Sequence, residues 1–121
     1  MIYKREESFR FSLKVPVTGE FAIISRKGAA HQDKYGALEI LDISPNGLKF
    51  SSTLNLPLDE NIQILVHFTL NSTLLELPGS IVWKKIHLGR WHYGFMVQGP
   101  ESLKEKIRQQ IISELKLYIK K

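Results

Sequence analysis

In the stretch Glu39–Phe50, EILDISPNGLKF, the residues Asp42, Ser44 and Gly47 stand in the spacing D-x-S-x-x-G. A carboxylate in such a turn can accept hydrogen bonds from the donors on a guanine edge. A serine hydroxyl can donate to a phosphate oxygen, and a glycine permits the left-handed backbone that a tight connection demands. Ordinary turn chemistry accounts for the same three residues, with the Asp42 carboxylate bonded to nearby backbone in an Asx turn. The alternatives are therefore a turn and nothing more, or half of an anion-binding site. The other half such a site needs is present in the N-terminal segment MIYKREESFRFSLK, which carries Lys4, Arg5 and Arg10. A guanidinium is a planar fork that matches a phosphate, or guanine O6 and N7, bidentately. One reading is an arginine arm folding over a ligand held by a strand-turn-strand platform. The other is a solvated tail whose Glu6 and Glu7 neutralise its own arginines.

Catalytic and metal chemistry find no comparable support. His31, His67, His87 and His92 are scattered, no cysteine is present, and no H-x-x-x-H, G-x-S-x-G, P-loop or dinucleotide glycine pattern occurs. WKKIHLGRWH brings two histidines together without a carboxylate ligand, so neither metal nor cofactor is expected. The Asn71-Ser-Thr triplet has the form of a glycosylation acceptor, which means little without a secretory signal. The formal net charge of +5 favours an anionic partner such as a nucleotide, a nucleic acid or an acidic protein face, or serves solubility alone.

A chain of 121 residues that is 43% hydrophobic is the size of one domain with one core. The absence of cysteine fits a reducing compartment. The charged N-terminus and the lack of any run of about 18 apolar residues predict a cytoplasmic protein with no membrane insertion. Three parts follow from the hydrophobic pattern: an arm over residues 1–14, a barrel over 15–99 and a helix over 101–121. In the arm, Phe9, Phe11 and Leu13 alternate with polar residues, as in a short strand docked on a sheet. The central part reads as six short strands, EFAIISRK, ALEILDI, GLKFSS, NIQILVHFTL, TLLELPGSIVWKKI and RWHYGFMVQ, hence a small antiparallel barrel. Asn71 and Ser72 mark a tight hairpin turn. Pro78 and Gly79 predict a bulge or a bend at a barrel corner. In the last strand Trp91, Tyr93, Phe95 and Val97 alternate with Arg90, His92, Gly94 and Met96. In the final segment Leu103, Ile107, Ile111, Leu115 and Ile119 recur at helical spacing, and Ser102 with Glu105 has the S-x-x-E form of a capping box. A second row at Ile112 and Tyr118 leaves room for a partner helix.

Taken in order, the arginine-bearing arm, Asp42-x-Ser44-x-x-Gly47, GSIVW ending in Trp83, YGFMV from Tyr93 to Val97 and a closing helix resemble the PilZ family over nearly the whole chain. The resemblance implies a mainly β fold, a six-stranded antiparallel PilZ β-barrel with a C-terminal α-helix. It also implies a non-catalytic receptor for cyclic di-GMP, held by an R-x-x-x-R motif on the arm and by the D-x-S-x-x-G turn. Carried across, Asp42 would contact a guanine, Ser44 a phosphate or guanine, and Gly47 would shape the turn. Arg10 matches the second arginine of the motif, but Glu6 occupies the place of the first, and Arg5 lies one residue further back. A charge pair is worth about 1 to 4 kcal/mol at 4 Å, and an anion in place of a cation beside the ligand's phosphates turns that attraction into repulsion. Binding then requires Arg5 to reach the site by a one-residue bulge, with Glu6 turned to solvent. The implied mechanism is that ligand orders the arm across the barrel and the reshaped surface engages a protein partner.

Two rival functions stay open on the sequence. One is a nucleotide-independent PilZ adaptor with a degenerate ligand site, for which Glu6 speaks. The other is a basic barrel that binds single-stranded nucleic acid on Trp83, Trp91 and Tyr93, although aromatic residues in a small barrel are more often core. No DNA or RNA partner is expected.

Overall fold

A computed structural model describes residues 10–26, 35–59 and 61–120. The elements are β1 (Phe11–Arg26), β2 (Tyr35–Ser44), β3 (Gly47–Ser52), β4 (Ile62–Leu70), β5 (Thr73–His87), β6 (Arg90–Val97) and α1 (Glu101–Ile119). The six strands close into an antiparallel barrel in the order β1-β2-β3-β6-β5-β4. Closure removes most of the open edges that a sheet of this size would otherwise present.

The alternation in the sequence sets which side chains turn inward. Leu48 and Phe50 of β3, Val66 and Phe68 of β4, Leu75 and Leu77 of β5, and Tyr93, Phe95 and Val97 of β6 are buried in one core. Each such side chain contributes about 1.5–3 kcal/mol by leaving water. The arm and the first strand prove continuous: β1 begins at Phe11 and runs for 16 residues. It absorbs a bulge, because Ser12 pairs with Asp42 while the next registered pair is Val17 with Ile40. Lys14, Val15 and Pro16 are thrown outward there and exposed, where proline's missing N–H costs no ladder bond.

Of the two expectations at Pro78 and Gly79, the bulge is not found there. Pairing to β4 runs unbroken through Leu65–Pro78 and Ile64–Gly79, and the register shift of β5 falls between Ile81 and Trp83. Gly79 is instead the point where β5 exchanges its β4 partner for β6, since it pairs with both Ile64 and Val97. Asn71 and Ser72 form the expected two-residue turn, with φ of 53° and 69°, the positive pair that a type I′ hairpin requires.

Helix α1 places Ile107, Ile111 and Leu115 in the core. Two expectations about it are corrected. The N-cap is Pro100 and no side chain caps the helix, so Ser102 and Glu105 make no capping box. Ile119 is 51% exposed, while Tyr118 packs edge-on against Phe11 with ring centroids 5.9 Å apart. The Tyr118 row thus faces β1 and not a partner helix. Asn71 Nδ2 donates to the Glu114 carbonyl (2.7 Å) and Arg108 Nε to Asn46 Oδ1 (3.2 Å), fastening α1 to the β4–β5 and β2–β3 turns. At the opposite end the segment after β3 is held by Tyr93, whose hydroxyl accepts from the Leu56 N–H (2.7 Å) and donates to the Leu54 carbonyl (2.5 Å).

Candidate functional site

One row of residues crosses five strands on the outside of the barrel. Ser12 pairs with Asp42, Asp42 with Lys49, Lys49 with Gly94 and Gly94 with Trp83. Side chains alternate faces along a strand, so a shared register brings all of them to the same side. Arg10, immediately before β1, forms an ion pair with Asp42 across 32 residues of chain. Arg10, Asp42, Lys49, Gly94 and Trp83 border an open cavity of about 480 Å³ that is also lined by Ser44, Asn46 and Gly47.

The Asp42 carboxylate is largely buried and accepts from Arg10 rather than from local backbone, so the Asx-turn alternative is not the arrangement adopted. Ser44 is buried, and its hydroxyl donates to the Gly47 carbonyl at 3.3 Å. Gly47 is needed for a different reason from the one expected. It does not adopt a positive φ. A Cβ there would lie 2.1 Å from the Phe95 carbonyl oxygen, so only glycine lets β3 come this close to β6 at the mouth of the cavity. Gly94 plays a similar part for Trp83. A Cβ on Gly94 would lie 2.0 Å from the indole nitrogen, so the indole lies flat over the glycine and walls the cavity. Arg5 and Glu6 lie outside the described residues, as does His31.

The neighbourhood is electropositive. Among the described residues Lys49 and Lys85 hold no ion pair. His92, in the next row between Ser51 and Lys85, has its pKa lowered, first by burial and then by His87, Lys49, Lys85 and Arg90. Its ring meets that of His87 edge-on at 5.2 Å. Among the described residues no three histidine, aspartate or glutamate side chains are grouped as a metal would need. The arrangement can therefore hold an anion with hydrogen-bond donors on its other edge: a guanidinium and an ammonium for the charge, a carboxylate for the donors, an indole for stacking.

Lys49 is the member that sequence reasoning passed over, and Trp83 is one that it named as a stacking residue for nucleic acid but weighed as more often core. Trp83 shares the parity of the inward-facing Leu75, Leu77 and Ile81, which makes it look like core. The bulge between Ile81 and Trp83 reverses that parity and leaves the indole 38% exposed. Tyr93, by contrast, is fully buried and Trp91 half-buried, which leaves Trp83 as the most exposed of the three aromatic residues on which a nucleic acid would stack. Lys49 was legible through its pairing with Asp42, once the β2–β3 hairpin is set in register.

Comparison with known proteins bears on the same residues. A family model described as the PilZ domain matches residues 4–113. The crystal structure of the PilZ domain of CeSA from a cellulose synthesizing bacterium superposes with a TM-score of 0.62 at 16% sequence identity, covering 90% of this chain and 99% of that one. At that identity the likeness is one of fold. No curated protein matches the sequence.

Proposed function

The chain belongs to the PilZ domain family, and from that premise we propose that it is a non-catalytic receptor for cyclic di-GMP that passes its signal on by protein contact. The single observation behind this reading is the convergence of Arg10, Asp42, Ser44 and Gly47 on one cavity walled by Trp83. In this reading the Arg10 guanidinium, which has five donors, keeps its bond to Asp42 and offers the remainder to a phosphate. Asp42, held in place by that pair, keeps lone pairs for the guanine edge. Trp83 gives a base a flat apolar surface, and Lys49 adds a second charge. Arg5 joins by crossing the cavity mouth from the arm, which then lies against the barrel and presents a new surface to the partner.

The test is isothermal titration with cyclic di-GMP. Saturable binding is expected, weakened about 10- to 100-fold by Arg10→Ala or Asp42→Ala, since each removes a charge-assisted hydrogen bond worth about 1.5–3 kcal/mol. Glu6→Arg should tighten it, by replacing repulsion with attraction beside the phosphates. A folded sample that gives no heat at high micromolar ligand overturns the receptor reading. The protein would then be a nucleotide-independent adaptor, a reading favoured by the ion pair in which Arg10 and Asp42 already engage one another.

A further inference from the structure

The distal half of β5 breaks the rules that the rest of the barrel keeps. β4 leaves β5 at the Ile64–Gly79 pair, while β6 stays with it as far as His87–Arg90. Among the described residues no loop backbone bonds to Ser80–His87. Among the described residues the side of Val82–His87 turned away from β6 is therefore an open edge, with N–H and C=O groups available to another strand. The cavity beside its start, about 270 Å³, is bordered by Ser80 and Val82, and the buried Ser80 hydroxyl has no hydrogen-bond partner among the described residues.

Soluble proteins blunt such edges, yet this one ends in aliphatic residues. Ile86 is 61% and Leu88 89% exposed. Leu88 opens the β5–β6 turn at φ 51°, followed by Gly89 at 80°. A leucine in that left-handed position suffers the crowding that asparagine or glycine would avoid, and its side chain gains no burial on this chain in return. An exposed side chain held in a costly conformation at a tip points to a use outside the fold.

Charge identifies that use. Trp83, Lys85 and His87 share one face of the hairpin with Gly94, His92 and Arg90. Glu39 approaches Arg90 at 3.9 Å, Lys85 holds no ion pair among the described residues, and Lys84 is drawn inward to Asn55 (2.7 Å) and the Leu56 carbonyl (2.8 Å). We propose that the open edge of β5, Val82–His87, docks an extended segment of a partner protein that alternates acidic and apolar residues and adds to the sheet as a further strand. Its carboxylates lie across from Lys85 and His87, and its apolar side chains lie on the other face with Ile86 and at the tip with Leu88. A second copy of this chain is a poor occupant, because edge-to-edge pairing sets the basic face of Lys85 and His87 beside the same face of its copy. A lipid surface is another, because it leaves the edge amides unpaired. Docking needs no nucleotide, but a strand seated here ends beside Trp83, the wall of the cavity described above.

Fluorescence anisotropy with a labelled eight-residue peptide of alternating glutamate and valine tests this without nucleotide present, so its outcome is separable from that of the titration. The Glu-Val peptide is expected to bind. A Lys-Val peptide, and a Glu-Val peptide interrupted by proline, should bind at least about tenfold more weakly, the first through charge and the second through the lost backbone bond. Lys85→Glu should weaken binding by a similar factor. Leu88→Asn should weaken binding while raising the melting temperature, a combination that a merely structural leucine would not give. Amide exchange should slow at 82–87 on peptide addition. The proposal falls if a folded sample shows no binding up to about 1 mM peptide, or if the proline peptide binds equally well. It falls too if sedimentation shows the protein alone self-associating through this edge, or if Leu88 governs binding to phosphatidylglycerol vesicles instead of to the peptide.

Discussion

At the scale of single residues, the ion pair of Arg10 and Asp42 joins the two halves of the candidate site before any ligand arrives, at positions 32 apart in sequence. That link is what a local reading of the turn could not contain. His92 has an environment that carries a pH signature near neutrality. Burial and the cations around it lower its pKa from the ordinary 6.5. Between its folded pKa and that value the unfolded chain binds more protons than the folded one, so stability rises with pH across this window and falls on acidification. Urea midpoints measured at pH 7 and pH 5.5 are expected to drop toward acid, and His92→Gln should reduce the drop. An unchanged slope in the variant would place the pH dependence in other groups.

At the scale of elements, the site depends on two places where strands depart from regular pairing. The bulge between Ile81 and Trp83 turns the indole out of the core, and the close approach at Gly47 brings β6 against the end of β3. Gly47→Ala is expected to cost about 1–3 kcal/mol in urea unfolding, the range for forcing extra volume into a packed site. Its added methyl meets backbone, not a side chain that could rotate away. A variant as stable as the parent would show that β3 and β6 can separate without penalty. The bond from Arg108 to Asn46 ties α1 to the same turn, so the helix and the cavity share a structural element although the helix lies outside the cavity.

At the scale of the molecule, the barrel and α1 are held by one apolar cluster in which Leu115 is fully buried. Leu115→Ala should cost about 2–5 kcal/mol, as large-to-small core substitutions do, and a loss below about 0.5 kcal/mol would mean that the helix is not an integral part of the core. Much of this scale was legible in the sequence. Alternation along each strand, the Asn71-Ser72 turn and the 3.6-residue period of Ile107, Ile111 and Leu115 are local patterns, and local patterns suffice to select strands, turns and a helix. Asp42, Ser44 and Gly47 were legible as a group for the same reason, since a hairpin turn keeps sequence neighbours together. Only the tertiary structure decided where a bulge breaks that alternation, how β5 passes from β4 to β6, and what stands opposite the turn. Those outcomes depend on register between strands distant in sequence, and a single bulge reverses them. Register put Arg10 on Asp42, Trp83 over Gly94 and the far end of β5 at an open edge, and no spacing within the chain states any of the three.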